Sequence, residues 1–217
     1  MKRVLVLVEG QTEEVFVRDV LTPHLAPFDV QPTQVLLKTK RTASGSFKGG
    51  VTSTQQVIGD VRRLLGDTGA ALVTTMIDYY GLPDDFPGMV SRPSHDARAR
   101  VAHVEAAFAA AFAAPRFLPH LVLHEYEAWI FSAPHACDWV FEDPALCDQL
   151  AGIALTAGEP EQINDTPENA PSKRLTRAFP GYKKTFHGPM AVGAIGIPAL
   201  RQACPHAAAW LTRLEAI

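Results

Sequence analysis

Arg3-Val4-Leu5-Val6-Leu7-Val8-Glu9-Gly10-Gln11-Thr12-Glu13-Glu14 decides how this chain reads. Val4 to Val8 offer no polar face to water, so a strand there has to be covered on both sides, as in a mostly parallel sheet. The run stops at Glu9-Gly10. Thr12 is then placed to cap a helix, Glu13 and Glu14 fall in a first turn where the helix dipole favours acids, and Val15, Phe16, Val20, Leu21 and Leu25 follow at helical spacing. Strand, turn and helix in that order begin an α/β fold. Pro23 is expected to kink or shorten the helix.

The same alternation continues outward. A second strand is expected over Gln34 to Leu37, then a polar and basic Gly/Ser/Lys loop from Thr39 to Val51 that could cover a site, and a helix from Ser53 to Leu65 with Val57, Val61, Leu64 and Leu65 as its apolar stripe. A third buried strand, Ala71 to Ile77, runs into Asp78. An alanine-rich helix over about Ser94 to Ala113 precedes a fourth strand, Phe117 to Leu123, and then His124-Glu125-Tyr126-Glu127. Pro144 to Pro171, rich in Pro, Gly, Glu and Asn, reads as chain winding over the surface, and Ser172 to Ile217 as short helices broken at Gly181, Gly188, Gly196, Pro198 and Pro205. The expectation is one α/β domain over 1–217, with a mostly parallel central sheet flanked by helices in 1–131 and a helical extension in 132–217 packed on it.

At 217 residues with 47% hydrophobic content the chain can bury a sizeable core without disulfides or structural metal. Cys137, Cys147 and Cys204 form no CxxC pattern and read as buried thiols of a reducing cytoplasm. Val4 to Val8 is too short for a membrane span or a signal-peptide core. A net charge of −3 excludes a strongly basic nucleic-acid coat but permits a local basic groove, and positive residues do gather at Lys38-Thr39-Lys40-Arg41 with Lys48, and from Lys173-Arg174 to Lys183-Lys184.

Ligands of open parallel sheets lie outside the carboxyl ends of the strands. Glu9, Asp78 and Glu125 or Glu127 all fall at such ends. Carboxylates brought together repel unless a cation neutralises them, and oxygen ligands suit Mg²⁺ or Mn²⁺ better than Zn²⁺. His124 could ligate a metal or orient a neighbouring carboxylate. Trp129, Ile130 and Phe131 are expected in the core. Tyr79-Tyr80 and the turn through Pro83 could wall a substrate groove, with Arg92 near a phosphate; His95, His103, His187 and His206 show no metal-binding spacing. No Walker loop, dinucleotide fingerprint or Gly-x-Ser-x-Gly elbow is present, which argues against ATP hydrolysis and serine-hydrolase chemistry.

Val8-Glu9-Gly10-Gln11-Thr12-Glu13-Glu14, Thr75-Met76-Ile77-Asp78-Tyr79-Tyr80-Gly81-Leu82-Pro83 and His124-Glu125-Tyr126-Glu127-Ala128-Trp129, with Ser172-Lys173-Arg174, Ile195-Gly196-Ile197 and Cys204-Pro205-His206 later on, resemble an uncharacterised bacterial family with a Toprim-like, Rossmann-like core. Toprim domains occur in topoisomerases, primases and nucleases of the overcoming-lysogenization-defect type. The resemblance implies that Glu9 matches the glutamate after the first strand and Asp78 the first acid of an Asp-x-Asp motif. Tyr80 stands in place of the second acid, whose role would fall to Asp84, Asp85, Glu125 or Glu127. It further implies Mg²⁺-dependent phosphodiester cleavage. Glu9, Asp78, Glu127 and Lys184 would be catalytic and Glu9, Asp78, Glu125 and Glu127 metal ligands, with Lys183 as the alternative to Lys184 as the cation facing the phosphate. The implied substrate is nucleic acid, DNA before RNA, in defence against phage or plasmid with a separately encoded ATPase. The rival expectation is a non-catalytic binding or regulatory subunit of such an ATPase complex; a third is a metal-dependent phosphotransferase.

Overall fold

The computed structural model describes residues 1–37, 51, 53–94, 96–163 and 166–217. The expected Lys38–Lys48 basic cluster, the 39–50 part of the loop and His95 lie outside these residues.

Four strands lie side by side in the order β2 (Val30–Leu36), β1 (Lys2–Val8), β3 (Leu72–Asp78) and β4 (Phe117–Leu118), and a short β5 (Leu121–Val122) pairs further along β3; all pairings are parallel. The fold is therefore α/β with a mostly parallel sheet and helices on its faces. Alternation along β1 divides two cores, as the period of a strand requires. Val4, Val6 and Val8 join Met76 and the C-terminal helices on one face; Leu5 and Leu7 join Val73, Ile77 and α3 (Thr54–Leu65) with α4 (Ala97–Ala110) on the other.

The first helix departs from its sequence reading at its start, and it is distorted rather than shortened ahead of Pro23. Gly10, not Thr12, is the N-cap of α1 (Gln11–Phe16), and the Glu13 carboxylate accepts the Gly10 N–H at 2.9 Å, an N3 acid reaching back to the cap. Thr12 is buried inside the first turn. Pro23 does not end the helix. The backbone widens into a π-helical turn over Val17–Leu21 and continues as α2 (Thr22–Leu25), with the Thr22 hydroxyl donating to the Val17 carbonyl at 2.7 Å just ahead of the proline.

The expected fourth strand is cut in two by Pro119-His120, since proline has no N–H to give the ladder. The Thr75 hydroxyl fills the gap: it donates to the His120 carbonyl at 2.8 Å and accepts the His120 N–H at 2.9 Å. A larger correction concerns Pro144 to Pro171. Pro144 begins a helix, α6 (Pro144–Ala157), because Asp143 caps it by accepting the Leu146 N–H at 3.1 Å and proline suits a first helical position.

After α5 (Asp138–Phe141) and α6, the chain forms α7 (Pro171–Ala178), α8 (Lys184–Ala203) and α9 (Pro205–Glu215). Gly188, expected to break a helix, lies inside α8, whereas Gly196 does interrupt it, at φ 76°. The Trp210 indole N–H donates to Thr74 at 2.9 Å, fastening α9 to the centre of β3. No helix among the described residues is long and apolar enough to cross a membrane.

Candidate functional site

β1 is followed by β2 on one side and β3 on the other, so the strand order reverses between β1 and β3, and a crevice opens beyond their carboxyl ends. Glu9 and Asp78 flank it. The Glu9 N–H still reaches the Met76 carbonyl, and the Glu9 side chain then accepts the Asp78 N–H at 3.1 Å, extending the ladder by one side-chain rung.

The third acid arrives through a tight reversal. After β5, His124 takes a left-handed conformation with φ 66° and the Glu125 N–H folds back to the Leu123 carbonyl at 3.1 Å. The chain then enters a 3₁₀ segment, Tyr126–Ser132, whose first N–H donates to the Asp78 carboxylate at 2.9 Å. Glu127 is thereby turned inward and fully buried, while Trp129, Ile130 and Phe131 fill the core behind it as expected.

Lys184, the first residue of α8, closes the cluster. Its ammonium lies 3.5 Å from Asp78 and 3.2 Å from Glu127. The Tyr182 hydroxyl donates to the other Glu127 oxygen at 3.3 Å. Of the expected residues, Glu9, Asp78, Glu127 and Lys184 come together. Glu125 is engaged elsewhere: its two oxygens accept the backbone N–H and the hydroxyl of Ser172 at 2.9 and 3.0 Å, pinning the start of α7. Arg92 bonds to the Met89 carbonyl in its own turn.

Glu13, Tyr126 and Tyr182 also belong to the site, Glu13 although its sequence signal pointed elsewhere. Glu13 had the signature of a helix-dipole acid, and its buried place beside Glu9 follows from the Gly10 cap. Burial, followed by the charge of Glu13, pushes Glu9 up to about 7 from its ordinary 4.5. Burial also raises Glu13, Glu127 and, well above its usual range, Asp78, with Lys184 opposing in each case. Lys184 keeps its proton firmly because Asp78, Glu127 and Glu13 outweigh its own desolvation. Among the described residues, four acids thus face one ammonium, that of Lys184. The Tyr126 hydroxyl, buried amid the charges of Glu13, Glu127 and Asp78, has no hydrogen-bond partner among the described residues.

A second group of ligating side chains, Glu105, His120 and His206, has its donor atoms within 4.8 Å of one another, a proximity that no spacing in the sequence announces. Its hydrogen bonds assign it a structural task. Glu105 accepts the Leu121 N–H at 2.7 Å, and the His206 Nε2 lies 3.1 Å from Glu105 and 3.2 Å from the Leu121 carbonyl. Both polar groups on the open edge of β5 are thereby met. His120 stacks between His206 and Trp210, and burial holds it well below its usual value, hence neutral.

The family model described as a domain of unknown function, DUF4276, matches residues 8–215. Neither a curated protein nor a solved structure matches the chain.

Proposed function

Because the chain belongs to the DUF4276 family, whose description carries no activity, we propose from the site itself that it is a Mg²⁺- or Mn²⁺-dependent, Toprim-like nuclease that hydrolyses phosphodiester bonds. The observation that carries this reading is the convergence of Glu9, Glu13, Asp78 and Glu127 on one ammonium at the switch point of the sheet. An all-oxygen donor set with too little positive charge, and the unpartnered Tyr126 hydroxyl among the acids, fit a hard divalent cation. Glu9, Asp78 and Glu127 are the residues that would hold it. When bound, such an ion supplies Lewis acidity towards the phosphate and a more acidic water.

The chain's own groups divide the remaining work. Asp78 is oriented by the Tyr126 N–H, and Glu127 by the Tyr182 hydroxyl, so neither carboxylate has to be ordered when substrate arrives. Lys184, half-exposed at the mouth, can turn its charge towards a phosphate oxygen. Glu9 is the candidate to take the proton from an attacking water. Three buried free cysteines agree with a reducing cytoplasm as the working compartment.

Purified protein incubated with plasmid, single-stranded DNA and RNA in Mg²⁺ or Mn²⁺ is expected to cleave, and Asp78→Asn and Glu9→Gln each to lose at least about 10- to 100-fold. Cleavage that survives in both variants, or in chelator, would overturn the assignment. Tyr80 favours a second reading, since it stands where the second acid of an Asp-x-Asp motif would and is 41% exposed. A subunit that keeps the acidic pocket for binding and partners a separately encoded ATPase would show stable co-purification with that ATPase and no metal-dependent cleavage in the complex.

A further inference from the structure

A pocket of acids repels the polyanion that a nuclease must bring to it, so the approach needs positive charge close by. Beside the acidic site the structure has a cleft of about 570 Å³ lined by Tyr80, Glu168, Lys173, Thr176 and Arg177, within the size range of ligand sites. Both of its walls are tied to the segments that carry the acids. Tyr80 lies two residues beyond Asp78, and its N–H bonds to the His124 carbonyl at 2.9 Å, which fixes the start of the loop that carries it. The opposite wall is α7, whose first turn is clamped by Glu125 through Ser172, the residue before Lys173. The Arg177 guanidinium is steadied by the Glu168 carbonyl at 3.2 Å.

Resting on the nuclease reading, we propose that this cleft is where a single-stranded polynucleotide lies as it enters the acidic site, one base stacked on the exposed Tyr80 ring and flanking phosphates on Lys173 and Arg177. An open aromatic face with two cations across a groove is the chemistry of sequence-tolerant strand binding, because every base has a π-face and every linkage a charge. Glu168, also in the lining, leaves an excess of one positive charge among the lining residues, which suits a transient strand better than tight storage. Glu125 is on this account a positioning residue: it holds the start of α7, and so Lys173, against the turn that precedes Glu127.

The test is fluorescence anisotropy of labelled oligo(dT), oligo(U) and a hairpin duplex with the full chain in Ca²⁺, alongside cleavage in Mn²⁺. Tyr80→Ala is expected to weaken single-strand binding by about tenfold, and Tyr80→Phe to retain it. Lys173→Ala with Arg177→Ala should lower the dependence of log K on log salt by about 1.4, two phosphate contacts' worth. The oligo(dT) and oligo(U) arms tell which sugar the strand carries. Equal affinity for wild type and Tyr80→Ala, tighter binding of the duplex, or no binding by wild type overturns the cleft. The nuclease reading fails separately, when strands bind through Tyr80 but Asp78→Asn changes nothing in Mn²⁺.

Discussion

Gly188 shows how little room the site leaves around a single atom. A Cβ there would stand 3.0 Å from the Tyr182 hydroxyl, 3.4 Å from Thr12 and 3.5 Å from the Tyr126 ring, the two tyrosines that border Glu127. Alanine is the better helix former by about 1 kcal/mol, yet crowding of a packed interior costs about 1–3 kcal/mol. Gly188→Ala is therefore expected to be destabilised by up to about 2 kcal/mol in denaturant titration. A stabilising result would mean that Tyr182 is free to withdraw from Glu127. In the sequence Gly188 was one of several apparent helix breakers, because its need for smallness comes from residues far away along the chain. Tyr126 and Tyr182 were illegible for the same reason.

At the level of elements, α7 is a short amphipathic piece that depends on an outside acid for its first turn. Glu125 accepts the Ser172 N–H that no residue of the helix itself can take. Glu125→Ala should release that turn at a cost of about 1–3 kcal/mol and speed hydrogen exchange of the 172–178 amides, while amides of β1 and β3 keep their protection. Unchanged exchange in α7 would show that packing of Leu175 alone holds the helix. The helix α6 was hidden because Pro, Gly and Glu were weighed as loop formers, although Asp143-Pro144 is also the signature of a helix start. Most of those residues fall beyond Ala157, whereas Pro144–Ala157 itself is rich in Ala and Leu, and the Asp143 cap with the first-position proline starts the helix there.

Across the whole molecule, burying acids beside one another makes stability depend on pH. Glu9, raised to about 7 from 4.5, binds its proton more tightly in the folded state, so its contribution is complete below about 4.5 and is lost as pH rises through 7. His120, depressed by burial, acts in the opposite sense, its contribution fading as pH falls below 6.5. Comparing wild type with Glu9→Gln in chelator cancels the histidine. The stability of wild type relative to the variant should fall between pH 5 and pH 8, by up to about 3 kcal/mol. A difference independent of pH would show that Glu9 keeps an ordinary affinity for protons. The Val4–Val8 run and the acids at the ends of β1 and β3 were legible from the start, because periodicity and strand-end position are local properties of the chain. They fixed an α/β fold and placed Glu9 and Asp78 in one crevice. The choice between Glu125 and Glu127 was decided only by the left-handed turn at His124, which sends Glu127 to Lys184 and Glu125 to Ser172. Lys184 was separated from Lys183 only by the docking of α8. Those choices depend on contacts between residues tens of positions apart, where the direction of a side chain is set by packing and charge rather than by its neighbours in sequence.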